Sequence, residues 1–133
     1  MNSPAMDVKD LFEDSAFVVG VFGTNLFVGN EPELPDACVT IYDAGGADTE
    51  PTTEFKYEYP NVSIRVRGAV ADYTGAYTKA AEIKYLLHCL VNRTINGTKY
   101  ISFFCIGDIQ FLQGDEKNRP IFLVNLRMQR TAA

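Results

Sequence analysis

With 133 residues, 47% of them hydrophobic, the chain holds enough apolar material for one core of ordinary size and too little for two independent domains. Its formal charge of -5 and pI near 4.8 argue against a surface built to grip nucleic acid, which needs clustered Lys and Arg. No apolar run approaches the roughly 20 residues that cross a bilayer, and the polar, mixed-charge stretch from Met1 to Asp14 lacks the pattern of a secretion signal, so a soluble protein that stays in the cytoplasm is expected.

Ser3 before Pro4 is a good N-cap and first-turn pair, and Val8, Leu11 and Phe12 repeat at helical spacing, which predicts a short amphipathic helix to about Asp14. After Gly20 and Gly23, two strands are expected at Leu26 to Val28 and Cys38 to Tyr42, separated by a loop holding Pro32 and Pro35. From Asp43 to Glu58 the composition turns to Gly, Ala, Asp, Thr, Pro and Glu with no hydrophobic period, the mark of a long polar loop. Asn61 to Arg67 then alternates, Val62, Ile64 and Val66 on one face and Ser63, Arg65 and Arg67 on a wet one.

Asp72 is placed to cap a helix reaching about Val91, with Ala76, Ala80, Ile83, Leu87 and Leu90 as its buried stripe. Asn96-Gly97 readily takes the positive φ values of a two-residue type I′ turn and predicts a hairpin there. The second arm, Thr98 to about Gly107, is apolar on both faces and reads as a central strand covered on both sides. Past a polar loop from Gln113 to Pro120, Ile121 to Arg130 points Phe122, Val124, Leu126 and Met128 inward and Asn125, Arg127 and Gln129 outward. The sum is an α+β fold: one domain with a mainly antiparallel or mixed β-sheet, two helices packed on one face, and a long polar loop.

Few residues suggest chemistry. Cys38, Cys89 and Cys105 are odd in number, far apart and set among apolar neighbours, which reads as buried thiols and not a disulfide frame. The Asn-x-Ser/Thr triplets at Asn61, Asn92 and Asn96 are chance matches in a chain with no secretion signal. His88 adjoins Cys89, but neighbouring helix positions point about 100° apart, so a surface His beside a buried Cys is expected and not an activated thiol. Asp43, Asp48, Glu50 and Glu54 match no calcium loop, and a single His with scattered Cys gives no zinc spacing. Gly20, Gly23, Gly45 and Gly46 lack the Lys-Ser/Thr pair of a phosphate loop. No catalytic residue, metal or cofactor is therefore expected.

Interaction residues are easier to nominate. Arg65 and Arg67, on the exposed face of their strand, suit a neighbouring acidic surface, including another copy of this chain. Phe55, Tyr57 and Tyr59, interleaved with Lys56 and Glu58, either cover the core or anchor a subunit contact. Asp115, Glu116, Lys117 and Arg119 form a mixed-charge loop tip, and Asp43, Asp48 and Glu50 lie on the long loop.

In order and spacing, several segments carry a likeness: Ile41-Tyr42-Asp43 with Gly45-Gly46, Tyr57-Glu58-Tyr59-Pro60, Val66-Arg67-Gly68, the helix segment Ala80 to Ile83, Thr94-Ile95-Asn96-Gly97-Thr98-Lys99-Tyr100-Ile101, Gly107-Asp108-Ile109, and Asn118-Arg119-Pro120-Ile121-Phe122. From about Val8 to Arg130 the chain resembles the tail terminator or minor capsid proteins of siphophages, similar to those of lambda-like phages. The resemblance implies a non-enzymatic α+β virion subunit, assembled in the bacterial cytoplasm into a ring, a hexamer, at the head-proximal end of the tail. It implies as partners other copies of itself, the major tail tube protein and the head-completion or neck proteins. DNA passes through such a ring unbound, and no membrane is involved.

A ring closes through two different complementary patches on each subunit, so edge strands and the loops Asp43 to Glu58 and Gly114 to Arg119 are the expected contact elements. The competing reading is a small ligand-binding or regulatory α+β module, which predicts a concave apolar pocket with convergent polar groups. A small hydrolase or transferase needs a nucleophile and base that the sequence does not offer.

Overall fold

The computed structural model describes residues 2–13, 19–47 and 57–131. The first helix, α1 (Pro4–Glu13), starts where Ser3 Oγ accepts from the Met6 N–H at 3.2 Å, and it buries Ala5, Val8, Leu11 and Phe12. Its N-terminus is also held from outside, because Asp43 Oδ1 accepts from the Ala5 N–H at 2.9 Å. The carboxylate meets backbone donors that the first helical turn leaves open, as the helix dipole favours.

Seven strands follow: β1 (Leu26–Val28), β2 (Cys38–Ala47), β3 (Tyr57–Arg67), β4 (Val91–Ile95), β5 (Thr98–Cys105), β6 (Gln110–Leu112) and β7 (Ile121–Thr131), with the second helix, α2 (Tyr73–Leu87), between β3 and β4. They form one mixed sheet in the order β1-β2-β3-β7-β5-β4, with β6 also paired to β7. The β1–β2 pair is parallel and the others are antiparallel. Strand β7 lies in the middle, flanked along its length by β3 on one side and by β6 and then β5 on the other.

One hydrophobic cluster joins both helices to the same face of the sheet. Val39 and Ile41 of β2, Val62, Ile64 and Val66 of β3, and Phe122, Val124, Leu126 and Met128 of β7 meet the apolar stripe of each helix there. Full burial of side chains the size of Ile83 or Leu87 contributes about 1.5–3 kcal/mol each. Ala76 and Ala80 keep α2 close to the sheet, and a Cβ added at Gly68 would meet Ala76 Cβ at 2.7 Å.

The α+β reading, the helices on one face and the alternation of β3 and β7 all match the structure. The turn residues Asn96 (φ 51) and Gly97 (φ 79) join β4 to β5 as a two-residue hairpin. Four expectations are corrected. The loop expected from Asp43 to Glu58 is strand at both ends: β2 runs on to Ala47 and β3 begins at Tyr57, while 48–56 lies outside the described residues. A bulge between Asp43 and Gly46 permits this, since Gly45 and Gly46 take φ of 77 and 142 and Gly46 lies against the Tyr59 carbonyl.

Helix α2 ends at Leu87 and not near Val91, because His88 takes an extended backbone and Cys89 a φ of 65 that turns the chain into the sheet. Cys89 is consequently exposed, whereas Cys38 and Cys105 are buried, and all three are free. Strand β5 is not covered on both sides. A register shift between Tyr100 and Ser102 brings Tyr100 and Phe103 to one face, and Phe104 on the other is about half exposed.

Candidate functional site

The candidate contact residues divide into three groups, two of them nominated from the sequence, and the larger of these two turns inward. Arg67 is only 4% exposed, although it sits on the face of β3 opposite the helices. That end of the face is covered by the loop between β1 and β2. Arg67 donates to the carbonyls of Pro32 (2.7 Å), Glu33 (3.2 Å), Pro35 (2.7 Å) and Asp36 (2.8 Å), and to Glu31 Oε1 (3.0 Å). Arg65 Nε lies 2.9 Å from Glu31 Oε2.

Arg119, 3% exposed, reaches the same loop from the opposite strand connection. It donates to the Glu33 carbonyl at 2.7 Å, to Asp36 Oδ1 at 3.2 Å and to Asp115 Oδ2 at 2.7 Å. Lys117 pairs with Glu33 as well. The hydrogen bonds from Arg119 hold the Asp115 carboxyl down, at about 2. Arg67, Asp115 and Arg119 thus form one internal clamp between two loops, with Arg65, about a third of its side chain exposed, paired to Glu31 at its edge; Glu116 is exposed without a bond in the clamp. The alternation placed Arg67 on the correct face, but the Pro-containing loop covers it.

The second group surrounds α1. Asp43, exposed, is the cap described above. Tyr57 and Tyr59 are half-buried at the start of β3, where Tyr57 faces Thr131 and Tyr59 faces Ala47. Between them Glu58 pairs with Arg130 Nε at 2.7 Å, and Arg130 donates to the Tyr100 hydroxyl at 3.4 Å. That hydroxyl donates in a short bond to Asp7, a fully buried carboxylate of α1 that also accepts from Asn96 Nδ2 at 2.9 Å. Burial and the nearby Asp7 push the Tyr100 phenol well above its ordinary range. This network pins α1 to β5 and β7. The remaining candidates, Asp48, Glu50 and Phe55, lie outside the described residues.

The third group was not nominated at all. Tyr73 and Tyr77 stand one turn apart on the outer side of α2, 53% and 46% exposed, and Phe111 of β6 is 48% exposed. Tyr73 meets Phe111 (5.2 Å between ring centroids) and Phe122 (5.0 Å) edge to face, and Tyr77 meets Phe122 at 5.6 Å. The spacing of Tyr73 and Tyr77 was visible in the sequence, but β6 was not, so nothing joined Phe111 to them.

For chemistry the structure offers little. Among the described residues no group of three or more His, Cys, Asp or Glu side chains is arranged to hold a metal ion. His88 Nδ1 accepts from the Cys105 N–H at 3.2 Å, and burial raises the Cys105 thiol to about 11. A hollow of about 210 Å³ at the start of α2 is lined in part by Arg67, Asp72 and Lys79, of which Arg67 is occupied by the loop clamp and Asp72 by capping the Gly75 N–H. No described helix is long and apolar enough to cross a membrane.

Comparison with known proteins decides the class. The profile of a family described as "Bacteriophage tail terminator protein" matches residues 15–132, nearly the whole chain. The chain belongs to the bacteriophage tail terminator family. The fold of this terminator chain is also found in solved structures. A chain in "Virion of native gene transfer agent (GTA) particle" superposes with a TM-score of 0.64 at 13% identity, covering 83% of this chain and 81% of that one. Another solved chain superposes at 0.59, also at 13% identity, covering 96% of the terminator and 89% of itself. No curated protein sequence gives a significant match. The terminator is a structural phage tail protein.

Proposed function

We propose that this chain forms a ring, a hexamer, that caps the head-proximal end of a siphophage tail tube, stops addition of tube protein and presents a docking surface to the head-completion or neck proteins. The observation that carries the reading is family membership over nearly the whole chain. The gene transfer agent neighbour supports it at the level of fold, since that chain comes from a virion. Subunits act through contact alone, and no catalytic step is part of the role.

Within this reading, residues 1–133 act as one terminator domain, and the region from Asp43 to Glu58 is a contact element toward the tube or the next subunit. The nominated residues Asp48, Glu50, Phe55, Tyr57 and Tyr59, with the exposed Glu116, belong to this contact surface. The net charge of -5 suits a ring through which DNA passes without sticking, because phosphate is repelled by an acidic surface.

Electron microscopy of the purified chain, alone and mixed with tail tubes, tests the proposal. Rings, or tubes closed at one end and uniform in length, are expected. A chain that neither self-associates nor binds tube ends overturns it. Deleting residues 48–53 is expected to spoil assembly or tail joining while the far-UV spectrum stays that of the parent.

A further inference from the structure

The described surface carries exposed apolar groups on the two opposite lateral sides of the sheet. On the β6 side stands the aromatic platform of Tyr73, Tyr77 and Phe111, backed by buried Phe122. Beside it opens a hollow of about 280 Å³ lined by Ala71, Tyr73, Phe111, Gly114, Asn118 and Pro120. On the β1 side the turn before Leu26 presents Val21 and Phe22, 57% and 46% exposed. In the order of the sheet, β2, β3 and β7 lie between the two sides.

The turn is fixed in place. Asn25 Oδ1 accepts from the Val21 N–H at 2.7 Å, the Phe22 N–H donates to Glu13 Oε2 at 3.3 Å, and Lys9 Nζ sits 4.7 Å from the Phe22 ring centroid. The platform is fixed too, by the ring contacts beneath it. Neither patch has to be ordered on binding, which removes an entropic cost of association.

Size and shape identify the occupant. An aromatic residue presents about 150–250 Å², so three half-exposed rings leave roughly 300 Å² in water. That equals the largest apolar patch of an ordinary monomer and is less than half of the roughly 800 Å² that a stable interface covers on each partner. The platform therefore suits the centre of a contact with a folded surface. One patch is a turn that projects, the other a platform with a hollow, and a cavity of ~150 Å³ already accepts a benzene ring. Unlike patches on opposite sides of one molecule make a contact that repeats head to tail. Sheet extension is the poorer route, because β1 is three residues long and β4 is interrupted by Asn92 at φ 53.

We infer that the Val21–Phe22 turn of one copy docks on the Tyr73–Tyr77–Phe111 platform of the next, with the Phe22 ring entering the hollow beside Phe111. This rests on the ring reading and names the junction within it. Two variants test it, Phe22→Glu in the turn and Tyr73→Glu in the platform. Glu at the first position of α2 suits the helix dipole, so Tyr73→Glu retains the fold. Circular dichroism verifies folding, and Tyr73→Phe serves as the conservative control.

In sedimentation velocity over a concentration series, each Glu variant alone is expected to associate at least about 30-fold more weakly than the parent, as loss of a central anchor does. Tyr73→Phe is expected to associate like the parent. An equimolar mixture of the two Glu variants is expected to give dimers and nothing larger, because each pair can form one intact junction and no second. Folded variants that assemble like the parent, or a mixture that stays monomeric, overturn the junction and leave the ring standing. A parent chain that remains monomeric throughout and on tail tubes overturns the ring reading and the junction with it.

Discussion

Replacing Arg67 by Ala removes the side chain on which the loop between β1 and β2 is hung. The guanidinium is 4% exposed and donates to four carbonyls and one carboxylate. Removing one partner of a buried charged pair costs about 3–5 kcal/mol. Here Pro32, Glu33, Pro35 and Asp36 are themselves partly or fully accessible, so water reaches their carbonyls once the arginine is gone. The loss therefore belongs at the low end, about 3 kcal/mol. A chain of 133 residues has an unfolding entropy of about 0.28 kcal/mol per degree, so Tm is expected to fall by about 11 °C. Thermal melts followed by circular dichroism measure this directly. Arg67→Lys keeps the charge but not the planar fork, and it is expected to recover less than half of the loss. A Tm within about 3 °C of the parent for Arg67→Ala would refute the clamp as a determinant of stability.

Four other outcomes are expected. Tyr100→Phe leaves the buried Asp7 carboxylate with Asn96 as its neutral donor and is expected to cost about 2 kcal/mol in urea unfolding, with α1 exchanging its amide hydrogens faster. Gly46→Ala is expected to destabilise by about 3 kcal/mol in the same assay and Gly45→Ala by about 1 kcal/mol, because a Cβ at Gly46 meets the Tyr59 carbonyl at 2.2 Å whereas one at Gly45 meets nothing within 4 Å. The Asp115 carboxyl is expected to titrate near 2 by NMR and to move up toward the ordinary range in Arg119→Met, which keeps the two backbone N–H donors. Since its folded value lies below the ordinary 3.8, its contribution to stability is complete above about pH 4 and is lost as pH falls from there through 2. In native protein, Cys89 is expected to react first with a thiol reagent at pH 8, ahead of the buried Cys38 and Cys105.

Much of the architecture was legible because single local signals agreed with tertiary packing. Ser3-Pro4 and Asp72 mark the helix starts, Asn96-Gly97 the hairpin, and the alternation through β3 and β7 the core face. What was hidden depends on contacts distant in sequence. The strand through Gly45-Gly46 is defined by its pairing with Tyr59 and Pro60, not by propensity. The stop of α2 falls where no Gly or Pro marks it, since Cys89 adopts a left-handed conformation to reach the Phe103 carbonyl. Three-residue β6 is held by β7 and by the rings around Phe122. Arg67 was assigned to the correct side of its strand but to an exposed environment, because periodicity reports a face and not what covers it.

The position of β7 bears on when a subunit becomes competent. It follows the other described strands in chain order, yet it separates β1-β2-β3 from β5-β4. Until it emerges, the nascent polypeptide holds two half-sheets that share no backbone pairing. Insertion of this strand joins them, through partners some sixty residues away in β3. A chain cut before β7 thus keeps two strand groups with no backbone pairing to hold them together.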